Sequence, residues 1–195
     1  VSRVVRDSGR LILNAEDHRL VEKANEYKGE LVWFSLDPDN EVIQRHLDAG
    51  GTVFVLDGDE LVKIEDGHRE LICRSHEIPI ALGGAARHNV ANALAAAALT
   101  WCLGTPLADI AAGLTTMAQD ANPGRCNIYD LHGTKILIDF AHNPAAMAAL
   151  IDMASAIPAK RRVLCFGQAG DRPDDLIREL ARDAWEIGLD RVEVS

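Results

Sequence analysis

Two groups of side chains in this 195-residue chain have types and spacings that could do chemistry. The first is Asp139, His142 and Asn143 in TKILIDFAHNP, residues 134–144, where an apolar run stops and a proline opens a helix. A carboxylate and an imidazole beyond a strand end stand where α/β proteins hold their substrates. The second is His88, Asn89 and Asn92 in GGAARHNVANALAAAALTWCLG, residues 83–104. Asparagine is a poor helix former outside caps, so two of them opening an alanine-rich helix need a reason. At helical spacing His88 and Asn89 both reach the side of Asn92. An asparagine amide offers a donor and an acceptor together, the pair that reads an adenine edge, although a helix cap with one buried amide accounts equally for the spacing.

The elements that must position the first group follow from hydrophobic pattern. Ile136, Leu137 and Ile138, bounded by a turn at His132 and Gly133, read as a strand covered on both faces. Pro144 opens a helix whose Met147, Leu150, Ile151 and Ala154 recur at core spacing, and Pro158 stops it. Residues 162–166 form a further buried strand that ends in the glycine-rich loop 167–172. Two parallel strands joined by one helix place both loops on the same sheet edge. That loop holds Asp171 and Arg172, for which a cap and a surface ion pair are the plain account. A helix over residues 174–187 and a strand over 191–195 follow.

Upstream, strands at 11–13 and 31–36 alternate with helices at 17–27 and 41–49, which favours an α/β architecture. Asp57-Gly58 and Asp66-Gly67 separate three short apolar runs and mark hairpins, so this part reads as a small antiparallel edge. Glu65, Asp66 and His68 at one tip read as a solvated turn and not as metal ligands. The helix over 88–103 ends at Gly104, and a second runs from Pro106 or Leu107 to Met117. Asn122-Pro123-Gly124 breaks both helix and strand, which divides the chain into domains 1–121 and 122–195 with Arg125 just past the boundary.

Composition narrows the classes. The apolar content of 48% suffices for a packed core. A formal charge of −10 and the lack of any Lys/Arg run argue against nucleic acid as a partner. No apolar stretch approaches the roughly 20 residues that cross a bilayer, and the start has no signal-peptide pattern, so no membrane partner is expected. Cys73, Cys102, Cys126 and Cys165 lie far apart without a C-x-x-C pair, which points to reduced thiols in a cytoplasmic protein and to no metal site. Val1 to Arg6 already reads as strand or strand approach without an initiating methionine, and Arg191 to Ser195 begins a further strand, so a processed chain or a fragment is expected.

Four strings together carry a specific resemblance: HNVANALAAAAL (88–99), NPGR (122–125), IDFAHNP (138–144) and GDR (170–172). In this order and spacing they closely resemble the Mur ligase family, which includes peptidoglycan-precursor ligases, folylpolyglutamate synthetase and the ligase half of cyanophycin synthetase. LNAED at 13–17 is similar to the family's LNxDD segment with Glu16 in place of an aspartate, and WFSLDP at 33–38 looks most like the cyanophycin synthetase branch. The resemblance implies the later part of a central ATPase domain over 1–121 and the first part of a Rossmann-like C-terminal ligase domain over 122–195. It also implies a reaction in which ATP, with Mg2+, converts a small-molecule or peptide carboxylate to an acyl phosphate that an amino acid attacks to form an amide. Carboxylate oxygen is a poor leaving group and phosphate a good one, and cations and positioned donors must stabilise the phosphoryl group in transfer.

By the same resemblance Asn92 hydrogen-bonds adenine with His88 and Asn89 in support, Arg125 and Asp139 contact ribose and phosphates, and His142 sits near the phosphate end as the candidate catalytic residue. The plain alternatives are a cap of the Pro144 helix for Asp139 and a salt bridge between domains for Arg125. The chain also departs from the family. It has no Gly-x-x-Gly-Lys-Ser/Thr string, and the family's magnesium ligands and modified lysine would lie upstream of Val1, so the chain alone is expected not to catalyse the reaction. A nucleotide-binding or regulatory module that keeps the pocket without chemistry is the second reading. A Rossmann dehydrogenase is disfavoured, because FGQAGDR lacks the Gly-x-Gly-x-x-Gly spacing.

Overall fold

Short apolar runs alternate with polar turns along the chain, and they condense into two units, Val1–Met117 and Ala118–Ser195. The computed structural model describes residues 5–6, 8–167, 174–186 and 189–194. In the first unit β1 (Arg10–Asn14), β2 (Glu30–Ser35) and β3 (Thr52–Asp57) run parallel. They are linked by α1 (His18–Ala24) and α2 (Glu41–Asp48). Asp17 caps α1 by accepting the amides of Arg19 and Leu20, and Asn40 caps α2 by accepting that of Val42. Two antiparallel hairpins then add β4 (Glu60–Glu65) and β5 (His68–Arg74), giving a five-stranded sheet in the order β1-β2-β3-β4-β5.

The sheet is covered on both faces, which explains why β3 is an unbroken apolar run. Alternation sends Val53 and Val55 toward Ile43 of α2 and Ala24 of α1. Phe54 and Leu56 point to the opposite face, toward α3 (Arg87–Cys102) and α4 (Leu107–Thr116). Burying one such Val or Phe contributes about 1.5–3 kcal/mol. Val90, Ala93, Leu94, Ala97 and Ala98 form the inward stripe of α3, and its alanines let the helix lie close to the strands. The expected end at Gly104 is present, with the amides of Gly104 and Thr105 donating to the carbonyls of Trp101 and Thr100.

One buried charge interrupts the apolar face. Lys63 on β4 is 5% exposed and donates to Glu70 at 2.6 Å and Glu65 at 2.9 Å, with its ammonium 4.9 Å from the centre of the Trp101 ring. Burial alone would lower its pKa, but the hydrogen bonds to the two carboxylates outweigh it and raise the value. Glu65, one of the candidate metal ligands set aside above, is thus an ion-pair partner of Lys63.

In the second unit β6 (Asn127–Leu131) and β7 (Thr134–Ile138) form a hairpin. Its two-residue turn, His132-Gly133, has positive φ at both positions, the combination for which an Asn-Gly-like pair is favoured. α5 (Pro144–Ala156) follows, then β8 (Val163–Phe166), α6 (Asp174–Glu186) and β9 (Arg191–Val194). β8 and β9 pair in parallel across α6. Met147 and Ile151 of α5 pack with Leu164 and Phe166. Arg162 closes the end of α5 by donating to the carbonyls of Ala154, Ser155 and Ile157.

The α/β class, the antiparallel edge and the hairpin turns are as the pattern predicts. Two expectations need correction. β7 is not covered on both faces, since Ile136 is 39% and Ile138 47% exposed. Nor does it pair with β8: among the described residues β7 is bonded only to β6, and β8 only to β9. An apolar run requires burial of a strand only when the sheet around it has two covered faces, and a two-stranded ribbon does not supply them. The strand expected at the start of the chain lies mostly outside the described residues.

Gly51, just before β3, is required by close approach. A Cβ there would overlap the ring of His46, which donates through Nε2 to the Leu31 carbonyl at 3.0 Å. Gly51→Ala must displace the ring and break that bond, so urea denaturation should show a loss of about 1–3 kcal/mol.

Candidate functional site

The second unit assembles its candidate residues around the open end of the β6–β7 hairpin. Cys126 precedes β6 with φ of 51°, a left-handed conformation that turns its amide inward. That amide donates to Oδ2 of Asp139 at 2.9 Å, and the Cys126 thiol reaches the same oxygen at 3.3 Å. Because Asp139 directly follows β7, its carboxylate ties the last residue before one strand to the first residue after the other. Arg125, the neighbour of Cys126, places its guanidinium carbon 5.2 Å from the centre of the Phe140 ring. The His142 ring lies 5.0 Å from the same phenyl at a tilt of 46°, and its Nδ1 is 3.0 Å from the Phe140 carbonyl. A carbonyl only accepts, so this contact puts the hydrogen on Nδ1 and leaves Nε2 as the second ring nitrogen.

The structure therefore brings Arg125, Asp139 and His142 together, with Phe140 and Cys126 between them. Sequence reasoning counted neither of the latter two among the site residues. It also passed over Asn127, which is 3% exposed and ties down the turn before Arg125: its side chain accepts the Gly124 amide and donates to the Gln119 carbonyl at 2.6 Å. The alternative in which Asp139 caps the Pro144 helix is corrected. Asn143 is the cap, accepting the Ala146 amide at 2.9 Å. An Asn directly before a Pro that starts a helix is the signal that could have found it.

In the first unit α3 starts at Arg87 and its N-cap, Ala86, has no side-chain hydrogen bond, so neither His88 nor Asn89 is the cap. Asn89 is half-buried and its Nδ2 donates to the Ile80 carbonyl at 2.8 Å. This ties the first turn of α3 to a 3-10 turn over Pro79–Ala81. Asn92, one turn on, is exposed, and its Nδ2 approaches Oδ1 of Asn89 at only 3.5 Å. Asn92 thus keeps an acceptor and a donor for a ligand, while the amide of Asn89 is spent on the fold. His88 is half-buried in the same turn. Asp171 and Arg172 lie outside the described residues.

Glu16 has a structural part: its carboxylate accepts the Ser35 hydroxyl at 2.9 Å and the Leu36 amide, and so joins the carboxyl ends of β1 and β2. Among the described residues no group of three or more His, Cys, Asp or Glu side chains could hold a metal ion. Burial pushes the Cys73 thiol up to about 11, which keeps it protonated and unreactive near neutral pH. No helix among the described residues is long and apolar enough to cross a membrane.

Comparison with known proteins agrees with this layout. Residues 124–192, which span the hairpin and the β8–α6–β9 unit, match the Mur ligase, glutamate ligase domain. The chain is 32% identical to cyanophycin synthetase from Trichormus variabilis over 96% of its own length, and 34% identical to the one from Crocosphaera subtropica over 91%. The chain belongs to the Mur ligase family. It spans about a fifth of the length of these cyanophycin synthetases, 21% and 20%. Among solved structures it resembles MurF from Acinetobacter baumannii with a TM-score of 0.69 at 21% identity, covering 99% of this chain and 40% of that one. It also resembles E. coli FolC in complex with DHPP and ADP, with a TM-score of 0.57 at 16% identity, covering 99% of this chain and 51% of that one. At these identities the likeness is one of fold, and the Mur-type α/β fold expected from the motifs is the one present.

The Asp139 tie makes a direct expectation for this Mur ligase chain. Asp139→Ala leaves the part-buried Cys126 amide without its acceptor and should cost about 1–3 kcal/mol. Asp139→Asn, which retains an acceptor oxygen, should cost less, and thermal melts of the two variants check the order.

Proposed function

We propose that this chain carries part of an ATP-dependent ligase that joins a carboxylate to an amino acid through an amide bond. The observation that carries the reading is the gathering of Arg125, Asp139 and His142 at one hairpin mouth, with a guanidinium held against a ring and not ion-paired with an acid among the described residues. An exposed guanidinium and an imidazole that share one phenyl ring are suitable receivers for phosphate oxygens. In this reading Arg125 and Asp139 take the ribose and phosphates, and His142 works near the phosphate end. Asn92 reads the adenine edge from the exposed face of α3, with Asn89 and His88 fixing the turn that carries it. Each unit has groups suited to part of a nucleotide: in the first Asn92 retains both hydrogen-bonding functions, and in the second Arg125 remains exposed.

The chemistry follows from what such a site must do. In this reading the γ-phosphoryl group of ATP passes to the carboxylate with ADP leaving, and the amine then displaces inorganic phosphate and gives up a proton as the amide forms. The part of these residues is to bind, orient and balance negative charge, which is where most of the rate in phosphoryl transfer originates. Mg2+ would supply further charge neutralisation and would be held mainly by groups other than those of this chain. The first unit then corresponds to the later part of a central ATPase domain and the second to the beginning of a Rossmann-like ligase domain. The reading takes an amino acid as the amine and a small-molecule or peptide acid as the carboxylate, with the reaction in the cytoplasm, and similarity to cyanophycin synthetases supports the ligase class.

Two measurements test this. Asn92→Ala in the full-length protein should weaken ATP about five- to thirtyfold, the worth of one or two hydrogen bonds to the adenine edge, read by calorimetric titration. Unchanged affinity would remove Asn92 from the pocket. The 195-residue chain by itself, which has no Gly-x-x-Gly-Lys-Ser/Thr string, should release no phosphate from ATP in the presence of Mg2+ and amino acids. Amino-acid-dependent turnover by it would show that the phosphate loop is dispensable.

A further inference from the structure

Phe140 is a large apolar residue outside any core. It is 54% exposed and takes no part in the cluster of Met147, Ile151, Leu164 and Phe166 that stabilises its unit. An exposed phenyl of this kind adds little stability by burial, yet three contacts converge on it. The Arg125 guanidinium lies over its ring at 5.2 Å, the His142 ring packs on it at 5.0 Å, and its carbonyl faces Nδ1 of His142 at 3.0 Å.

The chemistry of these contacts is specific. An arginine side chain carries about 2 kcal/mol of rotamer entropy, so a free one is a poorly aimed ligand. A carboxylate partner would fix it but would consume its N–H donors and cancel its charge. A phenyl face fixes it through the π cloud and leaves the donors along the guanidinium edge, and the charge, for an anion. The carbonyl of the same residue sets the histidine tautomer, so that Nε2 is the nitrogen left to meet a ligand.

We propose that Phe140 is a positioning residue that pre-organises Arg125 and His142 for the phosphate groups of the nucleotide, an inference that rests on the ligase reading above. It acts through those two side chains and does not itself touch the reacting atoms.

The test compares ATP with adenosine in the full-length protein. Phe140→Leu keeps an apolar side chain and should weaken ATP about three- to tenfold, the scale of one partly exposed cation–π contact, while adenosine affinity and the melting temperature stay as in the wild type. Phe140→Tyr, which retains the ring face, should restore ATP binding. In the Arg125→Gln background Phe140→Leu should add little further loss, because the ring would have no guanidinium left to hold. Equal losses for ATP and adenosine, an unchanged ATP affinity in Phe140→Leu, or additive losses in the double variant would each overturn the role of Phe140 while leaving the ligase reading intact. A wild-type protein that takes up no ATP would overturn that reading and this inference with it.

Discussion

Backbone amides at strand ends have left the ladder and must still find acceptors, and in this protein carboxylates and carboxamides supply them. Glu16 takes the Leu36 amide past the end of β2, Asp17 and Asn40 take the first amides of α1 and α2, and Asn143 takes the one that opens α5. Asp139 takes the Cys126 amide at the mouth of the β6–β7 hairpin. These are the carboxyl ends of strands and the starts of helices, where α/β proteins also place their ligands. One set of polar side chains is therefore asked both to close the fold and to face a substrate, and each can spend an atom only once.

Asp139 shows how the two demands are met together. One of its oxygens receives both donors of Cys126, which fixes the residue directly after Arg125. The constraint then passes along the chain in both directions: backward through Arg125 to the phenyl ring, and forward through Phe140 to His142. Asn127 holds the turn on the other side through Gly124 and Gln119. The candidate site of this unit is thus a loop pair stapled by two buried or half-buried polar side chains, and its ligand-facing groups are those left outside the staples.

How much of this could be read from residue order depends on whether the cause was local. The helices and the hairpin turns rest on period, capping and turn chemistry, all of which are short-range, and most of the helices are found within a residue or two of their expected ends, α1 closing three residues early at Ala24. β7 is the opposite case. Its Ile136-Leu137-Ile138 run has the composition of a central strand, and β3, with Val53-Phe54-Val55, is one, yet only β3 is flanked by strands and helices that cover both its faces. Composition states what a strand could bury, and the neighbours decide what it does bury. The grouping of Arg125 with Asp139 was legible only through a family resemblance, because thirteen residues of turn and hairpin separate them and nothing in their spacing brings them together.

The same distinction separates Asn89 from Asn92. At the level of sequence they are two asparagines on one side of one helix start, and spacing treats them alike. What divides them is the Ile80 carbonyl, presented by a 3-10 turn in a stretch where no element is expected from pattern. Ile78 and Ala81 on either side are fully buried, so that turn is anchored in the core and its carbonyl is fixed in space. Once Asn89 has donated to it, the first turn of α3 cannot rotate, and Asn92 is carried at a set angle with its amide still unspent on the backbone. A binding residue in such a helix is identified less by its type than by the hydrogen bonds its neighbour has already made, which is why the inert-looking turn before α3 matters as much to the site as the helix itself.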